Sequence, residues 1–425
     1  MSSQQFNQVF QLQCKTQSYE WGKLGIKSKV AQYAQSIPEF SVEADKPYAE
    51  LWMGTHPNAP SIAICPGKES VSLKDLITER VELMTEKIYQ KYEGEFPFLF
   101  KVLSINKALS IQAHPDKKLA QRLFSERPDL YKDPNHKPEM AIALTPFEAL
   151  CGFRPLTVIK EHLKEYPEFS ELIGEALVRK FNETLEKFPE EDSEIGVVEK
   201  KEVLRGLFEA VMTRDNDFIQ EQLSKLLLRL SKDSTKPEIF ELLNRLNSQY
   251  PGDIGCFAVL FLNYTVLKPG EAIFLQANEP HAYISGDCIE CMATSDNVVR
   301  SGLTPKFKDV KVLVDMLTYE SYDIKTKVMY GESYKGLEHS LLYDPPIDEF
   351  SVLRTELPLN SSERVPGIHG PSILIVTNGN GTLEYAEEKI TLEQGQVWFI
   401  SPDTEVVLHS NSEQAVFYRA FNSEE

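Results

Sequence analysis

Two kinds of hydrophobic pattern divide the chain. Over roughly the first 150 residues, short apolar runs such as residues 98–103 and 141–144 are separated by Gly, Pro and Asn, which is typical of strands. From about residue 155 to residue 250, apolar side chains recur at helical spacing. Examples of that spacing are Leu172, Ile173, Ala176, Leu177, Phe181 and Leu185. We therefore expect this segment to be all-helical.

The β-type pattern returns after the helical segment. An apolar run at residues 256–262 predicts a strand. Further on, Asn-Gly-Asn-Gly at residues 378–381 separates the apolar run 372–376 from residues 382–385, which is a strong hairpin signal. The chain is therefore expected to be mainly β with an α-helical insertion.

An internal repeat indicates two similar β-barrels. Residues 267–275 parallel residues 392–400, because each segment places a turn glycine before a strand and a proline-containing loop after it. The alignment sets His281 opposite Val406, so only the first copy carries a histidine there. Glycine turns that lead into strands are common in β proteins, so a chance match is the alternative explanation.

Length and charge exclude several classes of protein. A chain of 425 residues is too long for one ordinary core, so two or three domains are expected. Its 64 acidic and 45 basic residues give a formal charge of −19, which argues against nucleic acid or an anionic membrane as a partner. With no secretory or membrane-spanning pattern at the N-terminus, we expect a cytoplasmic protein.

The six cysteines do not form the dense framework of a small secreted protein, so reduced thiols are expected. Cys288 and Cys291 have the spacing of a redox or zinc pair. No second pair exists, however, and the neighbouring Asp287 and Glu290 would raise the pKa of a thiol rather than lower it. We therefore do not assign redox or metal chemistry to this pair.

Four residues form a candidate metal site. Gln112 and His114 are spaced i, i+2 on a predicted strand, so their side chains point to the same face. Glu139 and His281 would add a carboxylate and a second imidazole. A lone strand histidine more often has a structural role, so the prediction rests on the set. If His281 meets the other three, the helical segment is an insertion into one β-domain.

Several short segments together carry a family resemblance. The chain resembles the type I mannose-6-phosphate isomerases (phosphomannose isomerases), which are cupin-fold zinc enzymes. The matching segments are residues 19–22, 47–57, 98–103, 110–115, 137–140, 278–283 and 300–306. The helical segment and the C-terminal region match mainly in length and pattern.

The resemblance implies a fold and a set of domains. Two cupin-type (jelly-roll) β-barrels and an all-helical domain are expected. Residues 1–154 and 251–325 would form the catalytic cupin domain, residues 155–250 the helical insertion and residues 326–425 a C-terminal cupin-like domain. We expect the protein to be a monomer.

The resemblance also implies an activity. Gln112, His114, Glu139 and His281 would hold one Zn²⁺ per chain, and Arg300 would be an active-site residue. The enzyme would be an aldose-ketose isomerase, an intramolecular oxidoreductase. It would interconvert mannose 6-phosphate and fructose 6-phosphate by proton transfer between C1 and C2 through an enediol, and so feed GDP-mannose synthesis.

The residue types suit this chemistry. Glutamine is a neutral ligand, so the four ligands would leave a net positive metal centre, which can polarise a sugar oxygen. Isomerisation also needs a base near both carbons and cations near both oxygens. Arg300 can supply fixed positive charge, and Lys137 beside a dication is expected to have a lowered pKa. Glu290 and Asp296 are carboxylate alternatives for the base, and the sequence does not decide among the three.

A phosphorylated hexose also needs cationic contacts. Ser110 and Lys306 are the preferred phosphate contacts, because both lie in matching segments beside the proposed ligands. Lys101 and Lys117 are further candidates, with a plain surface position as their alternative.

Two other functions remain open at this stage. A cupin-type metal oxygenase would present three histidines, or two histidines and a carboxylate, to iron, and a glutamine ligand argues against it. A non-catalytic sugar-binding protein with two cupin barrels would not need Arg300 and Lys137 to converge beside a metal. We rank the isomerase above both.

Overall fold

The predicted helical segment forms a block of helices between β-regions. The computed structural model describes residues 8–64, 69–189, 193–233 and 238–424. The helices of the block are Leu156–Glu165, Pro167–Ile173, Glu175–Lys187, Glu194–Met212, Asn216–Ser231 and Glu238–Gln249. Their limits agree with the helical periodicity read from the sequence. Gly174, with φ of +98°, separates two helices within that pattern.

The first barrel is an 11-stranded sheet in the described part of the chain. We call the strand His281–Ala293 the long strand. One half of the long strand pairs with Phe98–Ile105 and Glu139–Ala143, and the other half pairs with Ile111–Ala113 and Phe147–Phe153. The remaining strands are Lys15–Gln17, Glu50–Met53, Leu262–Leu267, Ala272–Leu275, Val299–Gly302 and Val328–Met329.

The second barrel combines a nine-stranded and a four-stranded sheet among the described residues. In spatial order, the larger sheet contains Glu332–Ser333, Ser340–Tyr343, Ser351–Pro358, Gln414–Phe421, Ser372–Asn378, Val397–Ile400, Val9–Gln13, Ile62–Ala63 and Val71–Ser72. The smaller sheet contains Ser362–Val365, Val406–Ser410, Gly381–Tyr385 and Glu388–Leu392.

Short elements lie outside the barrels and the helical block. Lys23–Leu24 and Pro47–Tyr48 form a two-stranded sheet. The α-helices are Lys29–Ala34, Leu73–Glu79, Glu86–Lys91, Lys117–Glu126, Ala258–Phe261 and Val310–Met316. The 3₁₀ helices are Gly25–Lys27, Val81–Leu83, Ile254–Phe257 and Ile324–Thr326. In the part of the chain that is described, no helix combines the length and the apolar character needed to cross a bilayer.

The N-terminal strand Val9–Gln13 departs from the predicted domain limits. It pairs antiparallel with Val397–Ile400, so it belongs to the sheet of the second barrel although it lies within residues 1–154. Phe10 and Leu12 on one face enter the core between the barrels, and Val9 on the other face enters the core of the second barrel, whereas Gln11 is half-buried and Gln13 is exposed. The strand therefore contributes apolar side chains to two packed layers. The domain limits otherwise remain a prediction.

The long strand is buried on both faces. Cys288 belongs to the core inside the first barrel, whereas Cys291 belongs to the core between the two barrels. Residues three apart on a strand face opposite sides, so these two thiols cannot act as a pair. This agrees with the sequence argument against a redox or zinc pair. The described cysteines are all free and buried, and Cys65 lies outside the described residues.

The strand predicted at residues 256–262 is wrong. Residues Ile254–Phe257 form a 3₁₀ helix and Ala258–Phe261 an α-helix, and the strand begins only at Leu262. The Asp253 side chain starts the 3₁₀ helix by accepting a hydrogen bond from the Gly255 N–H at 2.7 Å. The run is buried on all sides, and a continuous apolar run does not distinguish a buried helix from a buried strand.

The internal repeat is present in the structure. Gly270 and Gly395 both have φ of +87°, and each precedes a strand of four residues. The next strands begin at His281 and Val406, the two positions that the sequence alignment sets opposite each other. The two barrels therefore share the same local order of turn glycine, short strand and following strand. Only the first barrel has an imidazole at the start of the following strand.

Candidate active site

A row of side chains on three paired strands forms one wall of the site. Gln112 pairs directly with His281 on one side and with Arg300 on the other. Directly paired residues project to the same face of a sheet. The flanking Ile111 and Ala113 belong to the apolar core that the helical block shares with this sheet. The side chains of Gln112, His281 and Arg300 therefore face away from that core, into the barrel.

Three of the four predicted metal ligands converge inside the barrel. Nε2 of His114 lies 3.4 Å from Oε1 of Glu139, and Nε2 of His281 lies 3.4 Å from Oε2 of the same carboxylate. One ligand atom from each residue lies within 4.8 Å of the others. Both Nε2 atoms and Oε2 are buried and have no hydrogen-bond partner among the described residues. Buried polar atoms without partners are costly, so this donor set fits a bound cation.

The second ring nitrogen of each histidine fixes its tautomer. Nδ1 of His114 donates to the carbonyl oxygen of Asn297 at 2.6 Å, and Nδ1 of His281 donates to that of Glu279 at 3.2 Å. Because a carbonyl oxygen only accepts, Nε2 of each ring keeps its lone pair for a metal. The Asn297 side chain in turn donates to the carbonyl oxygen of Asp133 at 2.7 Å.

The protonation states also suit a metal. Burial lowers the pKa of His114 to about 4, so this imidazole is neutral at physiological pH. Burial alone would raise the pKa of Glu139, but His114 and Lys137 hold it well below its usual range. The neutral ring of His114 and the ionised carboxylate of Glu139 are therefore both available to a cation.

Lys101 lies in a buried cluster of acidic residues on the barrel wall. Its Nζ is 3.2 Å from Oε2 of Glu290 and 3.5 Å from Oε2 of Glu50. Burial alone would lower the pKa of Lys101, but the two carboxylates raise it above its usual value. The ring of Trp52 lies 5.0 Å from Nζ, and its indole N–H donates to Glu50. Two carboxylates neutralise this ammonium, which argues against Lys101 as a phosphate contact.

The three candidate bases lie in different environments. Burial raises the pKa of Glu290, and although Lys101 opposes this rise, the carboxylate of Glu139 adds to it. The ammonium of Lys137 is 3.3 Å from Oε1 of Glu139. Asp296 is exposed and lies 3.7 Å from Nε2 of His56, and the hydrogen bond to His56 lowers its pKa.

Arg300 and the two predicted phosphate contacts lie at one edge of the site. Arg300 is half-buried, burial lowers its pKa, and no carboxylate pairs with it in the described ranges. Ser110 immediately precedes the strand that pairs with Arg300 and is also half-buried. Lys306 is exposed on the loop that follows Gly302, and Gly302 pairs with Ile111 next to Ser110.

The loop that carries Lys306 is anchored at its base. The Asp253 carboxylate accepts hydrogen bonds from the N–H groups of Leu303 at 2.7 Å and Thr304 at 3.2 Å. Leu303 has φ of +52°, a conformation that costs free energy unless neighbouring contacts impose it. The anchor therefore fixes where the loop leaves the sheet.

Sequence reasoning missed part of the barrel wall. Glu50, Trp52 and His56 surround Lys101 and Asp296, yet none was selected as a candidate. All three lie within residues 47–57, one of the segments that carry the family resemblance. The segment itself was the available signal, but nothing in it indicates which distant lysine or aspartate it contacts.

Comparison with known proteins decides the family. Family models described as phosphomannose isomerase type I match at residues 9–156 (catalytic domain), 172–262 (helical insertion domain) and 340–386 (C-terminal). The mannose-6-phosphate isomerase of Saccharomyces cerevisiae is 47% identical over 427 residues, covering 98% of this chain and 99% of that protein. That of Candida albicans is 46% identical over 439 residues, covering 97% and 98%. The chain belongs to the type I phosphomannose isomerase family.

Solved structures of phosphomannose isomerases support the fold. A zinc-bound mannose 6-phosphate isomerase aligns with a TM-score of 0.82 at 30% identity and covers 98% of this chain and 100% of its own. An arginine-to-alanine mutant of the Salmonella typhimurium phosphomannose isomerase gives the same values. The predicted fold of cupin barrels with a helical insertion is confirmed.

Removal of one of the proposed histidine ligands should strongly weaken zinc binding. In the His281→Ala variant, we expect zinc affinity to fall by about 100-fold or more, because the cluster loses one of its two imidazoles. Zinc per chain after dialysis against a chelator, measured by plasma mass spectrometry, checks this. His162→Ala is the matched control, since that imidazole lies in the helical block and hydrogen-bonds the carbonyl of Leu260. Full zinc retention by His281→Ala would rule this site out.

Proposed function

We propose that this chain interconverts mannose 6-phosphate and fructose 6-phosphate at one zinc site per chain, held by Gln112, His114, Glu139 and His281. The observation that carries the proposal is the cluster of three buried ligand atoms that find no hydrogen-bond partner among the described residues, in a member of this family. We include Gln112 as the fourth ligand because it pairs directly with His281, so the two side chains project to the same face.

Zinc bound at this site would act as a Lewis acid toward a sugar oxygen. The charges of the donor residues suit that role. A single carboxylate, from Glu139, leaves net positive charge on a centre that holds a dication. A set of thiolates would remove that charge, and among the described residues the cluster of ligand atoms contains no cysteine.

Arg300 stabilises the negative charge that develops on the substrate oxygens. Its guanidinium is half-buried and has no acidic partner in the described part of the chain, so its donors remain available to a ligand. Fixed donors in a partly dry site stabilise an enediol oxygen more strongly than water does. Its direct pairing with Gln112, a proposed metal ligand, supports this role.

Glu290 is the proposed base. It pairs with Ala141, two residues from Glu139 on the same strand, so Glu290 and Glu139 project to the same inner face. Its pKa is raised toward neutral pH, and a general base is most effective when its pKa lies near the working pH. In the aldose-to-ketose direction, Glu290 takes the proton from C2 and returns it to C1. Lys137 then serves as a donor to an oxygen of the enediol rather than as the base.

Ser110 and Lys306 bind the phosphate. Both lie at the edge of the site next to Arg300, and Lys306 is free to approach a ligand because it is exposed. In a chain with a net charge of −19, this edge concentrates positive charge where an anionic sugar phosphate must dock. All proposed residues come from one chain, so the proposal needs no second subunit.

A coupled assay that follows fructose 6-phosphate formation tests the activity. Purified protein should lose activity on chelation and regain it when zinc is added. Arg300→Ala should reduce kcat by about 100-fold or more, which is the typical effect of removing one donor that stabilises charge in the transition state. A fluorescence titration with mannose 6-phosphate should show that Arg300→Ala still binds the sugar. Well-folded, zinc-loaded protein without turnover would reject the isomerase and favour a sugar-binding or oxygenase function.

The pH dependence tests the base. A base must be deprotonated, so activity falls as the pH drops through its pKa. Lys101 favours the ionised form of Glu290, so Lys101→Met should move the acidic limb of kcat/KM to higher pH by about one unit or more. Residual activity of Glu290→Gln should lack that limb.

Lys164→Met is the control for the pH experiment, because Lys164 is an exposed lysine on the helix Leu156–Glu165 of the helical block. An unchanged limb in Lys101→Met would count against Glu290. A limb retained in Glu290→Gln would transfer the role to Lys137 or Asp296.

Loss of the phosphate contact should weaken substrate binding more than catalysis. Lys306→Ala is expected to raise KM about 10-fold with a smaller change in kcat, because a charge-assisted contact to phosphate is lost. Lys311→Ala serves as the control, since that lysine is also exposed and follows on the helix Val310–Met316. Equal KM values for the two variants would exclude Lys306 from the phosphate site.

A further inference from the structure

An arginine lies inside the C-terminal barrel. On the strand Gln414–Phe421, Arg419 pairs with Leu353 on one side and Leu374 on the other. Both leucines belong to the apolar core of this barrel, and directly paired residues share a face. The Arg419 side chain therefore projects into the barrel, and the residue is only 3% exposed.

Most of the hydrogen-bonding capacity of this guanidinium is unused. Nη2 donates to Oγ of Ser372 at 2.8 Å, whereas Nε and Nη1 have no acceptor among the described residues. The side chain carries no ion pair with any described residue. Nε and Nη1 together carry three N–H donors.

The guanidinium remains charged. Burial lowers the pKa of Arg419 to about 10, which is still well above neutrality. Buried charges in proteins are paired, because an isolated charge in an apolar interior is strongly unfavourable. A water molecule could accept one of the hydrogen bonds but would leave the positive charge without compensation.

A second unused donor lies on the same face. Trp398 pairs with Leu374 on the side opposite Arg419, so the three side chains form a row inside the barrel. The indole Nε1 of Trp398 is buried and has no acceptor among the described residues. A buried tryptophan usually finds a partner for this N–H. Two buried side chains therefore present donors, and no acceptor, to one apolar interior.

We propose that the C-terminal barrel binds a small inorganic anion of the chloride type, with Arg419 as its cationic ligand and the Trp398 indole as a second donor. The size follows from the neighbours, since Leu353, Leu374 and Phe417 occupy the surrounding core. The first barrel gathers acceptors around a cation. The second barrel has Val406 in place of the histidine and gathers donors around an anion.

Tyr334 lies between this interior and the surface. It belongs to the same apolar core as Leu353 and Leu374, and it also lines a surface cleft of about 580 Å³ between the helix Glu86–Lys91 and the C-terminal barrel. We infer that an anion approaches from this cleft. The site is separate from the proposed zinc centre, which lies in the other barrel.

Crystals of the full-length protein grown in sodium bromide test the proposal directly, because bromide scatters anomalously. We expect an anomalous peak within hydrogen-bond distance of Nε or Nη1 of Arg419 and no such peak in Arg419→Met. Melting temperature in sodium chloride should exceed that in sodium gluconate at equal ionic strength by about 2 °C or more. The difference should vanish in Arg419→Met and persist in Arg364→Met, whose arginine is exposed and paired with Glu405.

The outcomes separate anion binding from a structural role. If Arg419→Met does not fold, the bromide map and the anion dependence of the wild-type protein decide the question, with Arg419→Lys as a variant that keeps the charge. Water density alone at Arg419, or equal melting temperatures in chloride and gluconate, would overturn the proposal. The proposed zinc site and the isomerase activity depend on other residues. A failure of the anion-binding proposal would therefore not count against the proposed function.

Discussion

The pairing of the long strand with four neighbours is the constraint on which the rest of the structure depends. Its inner face carries His281 at one end and Glu290 towards the other, while its outer face packs at one end into the core shared with the helical block and at the other end into the core between the barrels. A one-residue shift in register would turn every one of these side chains to the opposite face. The apolar layers that hold this strand therefore also fix the distance between the proposed metal ligands and the proposed base.

Charge in the site is arranged so that some cations are compensated and others are not. Lys101 is enclosed by two carboxylates, which lets a lysine remain charged in a buried wall. Arg300 lacks such a partner in the described ranges and is only half-buried, so substrate can provide the missing negative charge. An acidic protein can thus attract an anionic substrate, because local uncompensated cations outweigh the net charge at short range.

Sequence reasoning reached the helical block, the repeat and the convergence of His114, Glu139 and His281, because periodicity and strand spacing carry that information. It failed at residues 256–262, where burial on all sides removes the periodicity that separates helix from strand. It did not find the ion pairs of Lys101, whose partners Glu50 and Glu290 come from distant strands. A resemblance locates the segments of a site, but the ion pairs between segments depend on strand register that spacing alone does not give.

The strand Val9–Gln13 has a consequence for how the protein is made. It is synthesised almost 400 residues before its partner Val397–Ile400. Until that partner has been made, Phe10 and Leu12 have no sheet to join, and closing so long a loop is slow. The second barrel therefore cannot complete its larger sheet before residue 400 has been made, and a chain cut between the two barrels would deprive the C-terminal fragment of one of its strands.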